Sequence, residues 1–374
     1  LTGGSNALTV TGNLDLDGAA SNLTSTSVSG TSNLGASVTT TNTQTYTGAV
    51  ILSTDTTLTS TDSDVSFGST IDSDSIDRNL SLVTGSGNIS VTGAVGSSNN
   101  LDVLTVNNTG TFTTSSSVAA TTMTLTHTGG TTIGGTLTAT TMNLTDTTDA
   151  ASITFNGNVS ATTLNTAAEA YNVVFNGTTS TVANAVTFSN SGTVTFGNGT
   201  GDTTTFTGGV VATAPTQVNL AGTVVTTDTT MMSLGDTNTP IVLTANTILS
   251  ANTGGDIWMG GTVNGAYSLT LNTTGNTILT SAIGGTTALT SLTTNAGGAT
   301  LITDAITTTG TQTYNDGVHL FAPITLTTTD SDVTFGGTID SELFETHHLT
   351  IDTNGTTGTI QFGGLVGNTV ALGA

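Results

Sequence analysis

The chain of 374 residues carries 24 Asp plus Glu against one basic residue, Arg78, giving a formal net charge of −23, and it contains no Cys and no Lys. Such a surface repels nucleic acid and anionic lipid. The missing side chains exclude P-loop, Schiff-base and Lys-isopeptide chemistry, disulfides, and thiolate nucleophiles or metal ligands.

Charged residues are only 7% of the chain, against a globular norm of about 25%. The hydrophobic 34% is spread evenly, so there is apolar surface to bury. Thr, Val, Ile and Phe favour strands, and no stretch shows helical periodicity, so an all-β fold is expected. No apolar run is long enough for a membrane-spanning helix, and no membrane insertion is expected. The opening LTGGSNALTV lacks an initiator Met and a signal-peptide pattern. With the abrupt end at GNTVALGA it reads as a processed chain or a piece of a longer one. Trypsin would find a single cleavage point, which suits a protease-rich exterior.

In chain order, the first marked stretch is 43–74, ending TDSDVSFGSTIDSD. It returns without a gap at 311–342, ending TDSDVTFGGTIDSE. Val65 and Phe67 read as core, Gly68 as a corner, and the aspartates as the rim. A leucine-rich strand, LSLVT (80–84), follows.

From 101 to 196 a shorter period takes over. One ladder of apolar residues runs Leu104, Met123, Met142, Leu164, Val186; a second runs Phe112, Ile133, Phe155, Phe175, Phe196. Both advance by about 20–21 residues. Around Met123 and Leu125 the alternation places Thr122, Thr124, Thr126 and Thr128 on the opposite, outward face. Gly and Asn close each short strand, where a corner needs left-handed backbone. Further on, IWMGGTVN (257–264) aligns with VTFGGTID (333–340) and VSFGSTID (65–72) as a third, partial copy. LTLNT (269–273) and LTIDT (349–353) are its following strands, and SDSIDRN (73–79) and SELFETHH (341–348) read as loops bulging from a corner.

Coils of 20–21 residues with short strands and Gly/Asn corners describe a parallel β-helix, or β-solenoid. One solenoid over 1–374 is expected, about 18 coils forming a rod roughly 85–90 Å long. Related multi-coil modules lie at about 43–96 and 255–374.

The runs GTQTYNDGVHL, TDSDVTFGGTID with its following LTID, and TTALTSLTTNAGG (286–298) resemble the repeats of large bacterial surface proteins, the filamentous-haemagglutinin-like and autotransporter-type adhesins. The resemblance covers 40–90 and 255–374; 100–250 shares only the coil pattern. It implies a right-handed parallel β-helix in a secreted or cell-surface protein, an adhesive stalk or extracellular fibre. A secretion domain of that family is not matched.

Candidate sites start with the acidic pairs Asp62, Asp64, Asp72 and Asp74, and their copies Asp330, Asp332, Asp340 and Glu342. On strands, residues two apart share a face, and carboxylates with corner carbonyls suit calcium. No cofactor is required, and calcium is the one the pattern could take. The favoured reading is solvated corner residues that deter edge aggregation.

Threonine rows raise ice binding, but the outward rows Thr105, Thr124, Asn143, Asn165, Thr187 and Asn107, Thr126, Thr145, Ala167, Ser189 are mixed. The four histidines are His127, His319, His347 and His348. His347 and His348 would face opposite ways, and Glu345 with His347 would give only two ligands, too few for zinc. A carbohydrate-active β-helix enzyme would need a facing carboxylate dyad in a cleft, and no large loop is visible to build one. Trp258 falls at an outward position with Met259 in the core slot, marking either a contact with another strand, chain or sugar, or a residue covered by a neighbouring loop.

These readings converge on a non-enzymatic extracellular fibre or stalk at a bacterial surface. The alternative is a subunit that assembles into a filament or sheath. Expected partners are neighbouring coils or copies of the same chain, end to end or lateral, and a host or surface glycan.

Overall fold

The computed structural model describes residues 1–373 except 146, 228 and 253. Two compact units emerge, one of residues 1–182 with 190–192 and the other of 183–189 with 193–374. Both are parallel β-solenoids, with about 16 turns in all and no helix among the described residues.

In the first unit, Leu14–Leu16, Ser32–Leu34, Val50–Leu52 and Ile71–Ser73 stack in parallel as one sheet. A second face stacks Gln44–Tyr46, Val65–Phe67, Ile89–Val91, Phe112–Thr114, Thr131–Ile133, Ser152–Phe155 and Asn172–Phe175. A third runs from Thr56–Thr59 through Arg78–Gly85, Leu101–Asn108, Val118–Thr126 and Leu137–Leu144 to Val159–Thr166. The step per turn is not constant. Leu14 pairs with Ser32, 18 residues on, whereas Val65 pairs with Ile89, 24 residues on. Lengthened corners explain why the chain makes about 16 turns where a constant 20–21-residue period gives about 18.

The second unit stacks Val186–Thr187, Val210–Ala212, Met232–Leu234, Ile257–Met259, Asn276–Leu279, Ala299–Ile302, Gly317–Leu320 and Ile339–Ser341 into an eight-stranded sheet. Another face runs Ser268–Thr273, Ser291–Thr294, Gln312–Tyr314, Val333–Phe335 and Ile360–Phe362.

The first expected ladder is present as Leu104, Met123, Met142 and Leu164, each paired with the next. Val186 instead pairs with Val210 in the second unit. In the other ladder Ile133, Phe155 and Phe175 stack in register, but Phe112 pairs with Thr131, and Ile133 with Thr114. The slip is two residues, which preserves the face under period-2 alternation, so Phe112 is still fully buried. Phe196 belongs to the second unit, where it packs against Phe188 and Phe206.

The outward row Thr105, Thr124, Asn143, Asn165 is in register, and its amides link successive turns, Asn143 to Thr124 at 3.3 Å and Asn165 to Asn143 at 2.9 Å. Thr128 departs from the expected face and is buried. His127 before it has φ of 51°, which breaks the strand alternation and turns Thr128 inward to accept the hydroxyl of Thr131 at 3.2 Å.

The duplicated stretches share their interior chemistry. Buried Gln44 donates from Nε2 to the Thr59 carbonyl at 2.8 Å, and Gln312 to that of Thr327 at 2.9 Å. Tyr46 and Tyr314 donate to these glutamines' Oε1 at 3.0 and 2.9 Å, and burial pushes both phenols above their ordinary range. Each tyrosine ring stacks on the phenylalanine of the next turn, Tyr46 on Phe67 at 5.4 Å and Tyr314 on Phe335 at 5.2 Å, both at 14°.

Phe155 is fully buried with its ring centroid 5.3 Å from that of Phe175. Phe155→Ala should lower stability by about 3–5 kcal/mol in chemical denaturation followed by circular dichroism. A loss below 1 kcal/mol would mean that the stack does not hold the first unit together.

Candidate functional site

A corner that bulges between strands carries backbone amides that no neighbouring strand satisfies, and each such group needs an acceptor. The aspartates of the repeated stretch fill that role. Asp64 Oδ1 accepts from the amide of Asn88 at 2.7 Å, and its copy Asp332 accepts from Thr359 at 2.8 Å. The third, partial copy has the same bond, Asp256 accepting from Asn276 at 2.6 Å.

A second acceptor stands eight residues later. Asp72 takes the amide of Ser98 at 2.8 Å, Asp340 those of Thr369 and Val370 at 2.8 and 3.2 Å, and Asn264 those of Thr286 and Thr287 at 2.9 and 3.0 Å. The corner that each one clamps contains a glycine with positive φ, Gly96, Gly367 or Gly284, whose amide bonds back to the preceding turn at 2.7 Å. That left-handed step aims the following amides at the carboxylate or amide oxygen. The two copies in the second unit do not share one face: Ile339–Ser341 lies in the eight-stranded sheet, whereas Val263–Asn264 pairs with Ile241–Ala251. The clamp is a local device that works at more than one corner of the coil.

The acidic pairs are therefore not carboxylates sharing one strand face. Asp62 and Asp64 precede the strand Val65–Phe67 in a bend, and Asp62 is left-handed with φ of 51°, as is Asp330 with φ of 50°. Asp62 accepts from the Ser86 amide at 3.0 Å, and Asp330 from those of Thr357 and Gly358 at 2.6 and 3.2 Å. Asp72 and Asp340 are buried, at 4% and 3% exposed. Asp74 holds Arg78 bidentately, Oδ1 to Nε at 3.0 Å and Oδ2 to Nη2 at 2.8 Å. Its copy Glu342 lies 3.4 Å from His347 Nε2, which is also 3.4 Å from Glu345 Oε2. Among the described residues this is the one group of three or more such side chains whose ligand atoms all lie within 4.8 Å of one another. Glu345 and His347 stood out in the sequence, but the third member, Glu342, comes from the loop start, and the spacing E-x-x-E-x-H was its only signal. His348 beside them is exposed.

The amide and hydroxyl of Thr357 hold the Asp330 carboxyl below the usual range, and those of Thr359 do the same for Asp332. Arg78 lowers Asp74 in the same sense. Buried Asp316 goes the other way, raised by desolvation although Oδ1 accepts the Gly298 amide at 2.9 Å.

Trp258 is outward and half-buried on Ile257–Met259, and Met259 is buried. Its row runs in register through Ser233, Trp258, Ile278, Leu301, His319 and Asp340. The indole lies over Gly260, where an added Cβ would stand 3.0 Å from Cζ2. The far end of this row opens into a groove of about 450 Å³ lined by residues including Leu301, His319, Phe321, Asp340, Glu342 and Leu343.

No protein-family model, curated protein or solved structure matches the chain.

Asp340→Ala leaves two corner amides without an acceptor and should cost about 1–3 kcal/mol in chemical denaturation, with Asp340→Asn costing less because an oxygen remains. Equal losses in the two variants would argue against the clamp. For Asp330 and Asp332 the folded values are depressed, so their contribution is complete above the unfolded carboxylate value of about 3.9 and is lost as pH falls through the folded values. Hydrogen-exchange protection factors at Thr357 and Thr359 should accordingly drop below about pH 4, and in Asp332→Asn the Thr359 value should lose that dependence.

Proposed function

We propose that this chain is a non-enzymatic structural or adhesive segment of a large secreted or cell-surface bacterial protein, part of an extracellular fibre or stalk. The observation that carries this reading is the clamp: the most strongly repeated residues of the sequence bond one turn to the next rather than facing a common substrate. Buried apolar ladders, in-register amide rows and Asp-to-amide bonds all act along the stacking direction, which suits a part that transmits load and resists proteases. The lone tryptic residue, Arg78, is held by Asp74, and its side chain is only 21% exposed.

The second reading is a subunit that assembles by stacking, through apolar rows of the kind the Ile360–Phe362 coil continues, which another coil of the same chain or of a copy would cover alike. Ile360, Phe362 and Val366 continue the rows of Val333, Phe335 and Ile339, yet are 43–48% exposed. Phe362 stacks on Phe335 at 5.5 Å and 7°, so its outer ring face is a ready seat for another coil.

Negative-stain microscopy of the purified chain, with and without calcium, separates the two. Single particles of constant length are expected; fibres growing with concentration would overturn the segment reading in favour of the subunit. Limited trypsinolysis should leave the native chain intact, and Asp74→Ala should raise cleavage at Arg78.

A further inference from the structure

The two copies of the acidic stretch end in loops built on one plan. In the first, the buried Ser73 Oγ accepts the Arg78 amide at 2.9 Å and closes the loop. In the second, the buried Ser341 Oγ accepts the His347 amide at 3.0 Å. The loop starts also correspond: the Asp74 amide bonds to the Leu52 carbonyl at 2.9 Å, and the Glu342 amide to that of Leu320 at 3.0 Å. His347 therefore takes the place of Arg78 and Glu342 that of Asp74, although the second loop is one residue longer.

The charge chemistry at these matched places differs. In the first copy one carboxylate meets a permanently charged guanidinium in a two-bond pair. In the second, the guanidinium is replaced by an imidazole and a further carboxylate, Glu345, is added, so the converging groups carry excess negative charge whichever form His347 takes. His347 is 8% exposed, with Nε2 facing both carboxylates.

The distances fit a ligand set better than a pair of tight hydrogen bonds, with all three ligand atoms within 4.8 Å of one another. Charge-assisted N–H···O bonds run at about 2.7–2.9 Å, whereas both Nε2-to-carboxylate separations here are 3.4 Å. A tetrahedral ion with ligands at about 2.0–2.1 Å places its donor atoms about 3.3–3.4 Å apart. Only one of the two contacts has hydrogen-bond geometry. One imidazole with two carboxylates suits zinc and its neighbours, while calcium takes six to eight oxygens.

We propose that Glu342, Glu345 and His347 form a three-residue site for a divalent transition-metal ion of the zinc class, on the corner after Ile339–Ser341. The ion supplies in this loop the positive charge that Arg78 supplies in its counterpart. It ties the loop start at Glu342, Glu345 within the loop and the loop end at His347 together at one point.

The test is calorimetric titration of the full chain with Zn²⁺ in excess magnesium, which occupies nonspecific surface carboxylates. One saturable equivalent is expected. Glu345→Gln and His347→Ala should each weaken uptake at least about tenfold, whereas Asp74→Asn, in the matched first loop, should not change it. The Glu345 side chain is 62% exposed, so its variant keeps the fold, as circular dichroism will check. Absence of a saturable equivalent, or wild-type uptake by both site variants, would overturn the assignment.

Discussion

Everything in this molecule depends on parallel pairing of one coil with the next, because that is where the strand backbone's donors and acceptors find their partners. The pairing is easy to satisfy along the strands and hard to satisfy at the corners, where the chain turns and amides point away from any ladder. Asp and Asn at fixed places resolve the difficulty by reaching along the stacking direction to the next turn. An ionised carboxylate is a stronger acceptor than a carbonyl, so the acid-rich composition and the corner problem are two views of one solution. Clamped corners can then lengthen: Asp64 reaches Asn88, whereas Asp332 reaches the more distant Thr359.

The interior adds a second register device. A ladder of apolar side chains tolerates a slip of two residues, as Phe112 and Ile133 show, because either choice points inward. A buried glutamine does not tolerate it. Gln44 and Gln312 have their amide and carbonyl engaged by a specific tyrosine, threonine and strand carbonyl, and a displaced register would leave them unpaired in the core at substantial cost. The same network in both copies pins the turns on which the acidic clamps sit.

With one basic residue in the chain, negative charge is managed locally. Backbone amides meet Asp62, Asp64, Asp72, Asp330, Asp332 and Asp340, and Arg78 meets Asp74. The Glu342, Glu345 and His347 corner is where this scheme changes, and it changes at the end of the longer loop, where chain length allows three side chains to converge.

The sequence by itself determined the fold class, the coil-by-coil construction and the identity of many core positions. Period-2 alternation with Gly/Asn corners admits few alternatives, and Leu104, Met123, Met142 and Leu164 align in sequence as they pair in space. It also showed that the acidic stretch was a copied module. What only the tertiary structure decided was where each carboxylate points. Partners lie 20 to 30 residues away across corners of variable length, so nothing in local spacing tells a clamp on Asn88 from a shared strand face. Asp256 and Asn264 were invisible as clamps for that reason; Glu342 carried a local signal, the spacing E-x-x-E-x-H, but only the fold of the loop turns its carboxylate toward His347. A left-handed residue such as His127 or Asp62 resets the alternation, and its effect on the next side chain is set by the turn stacked against it.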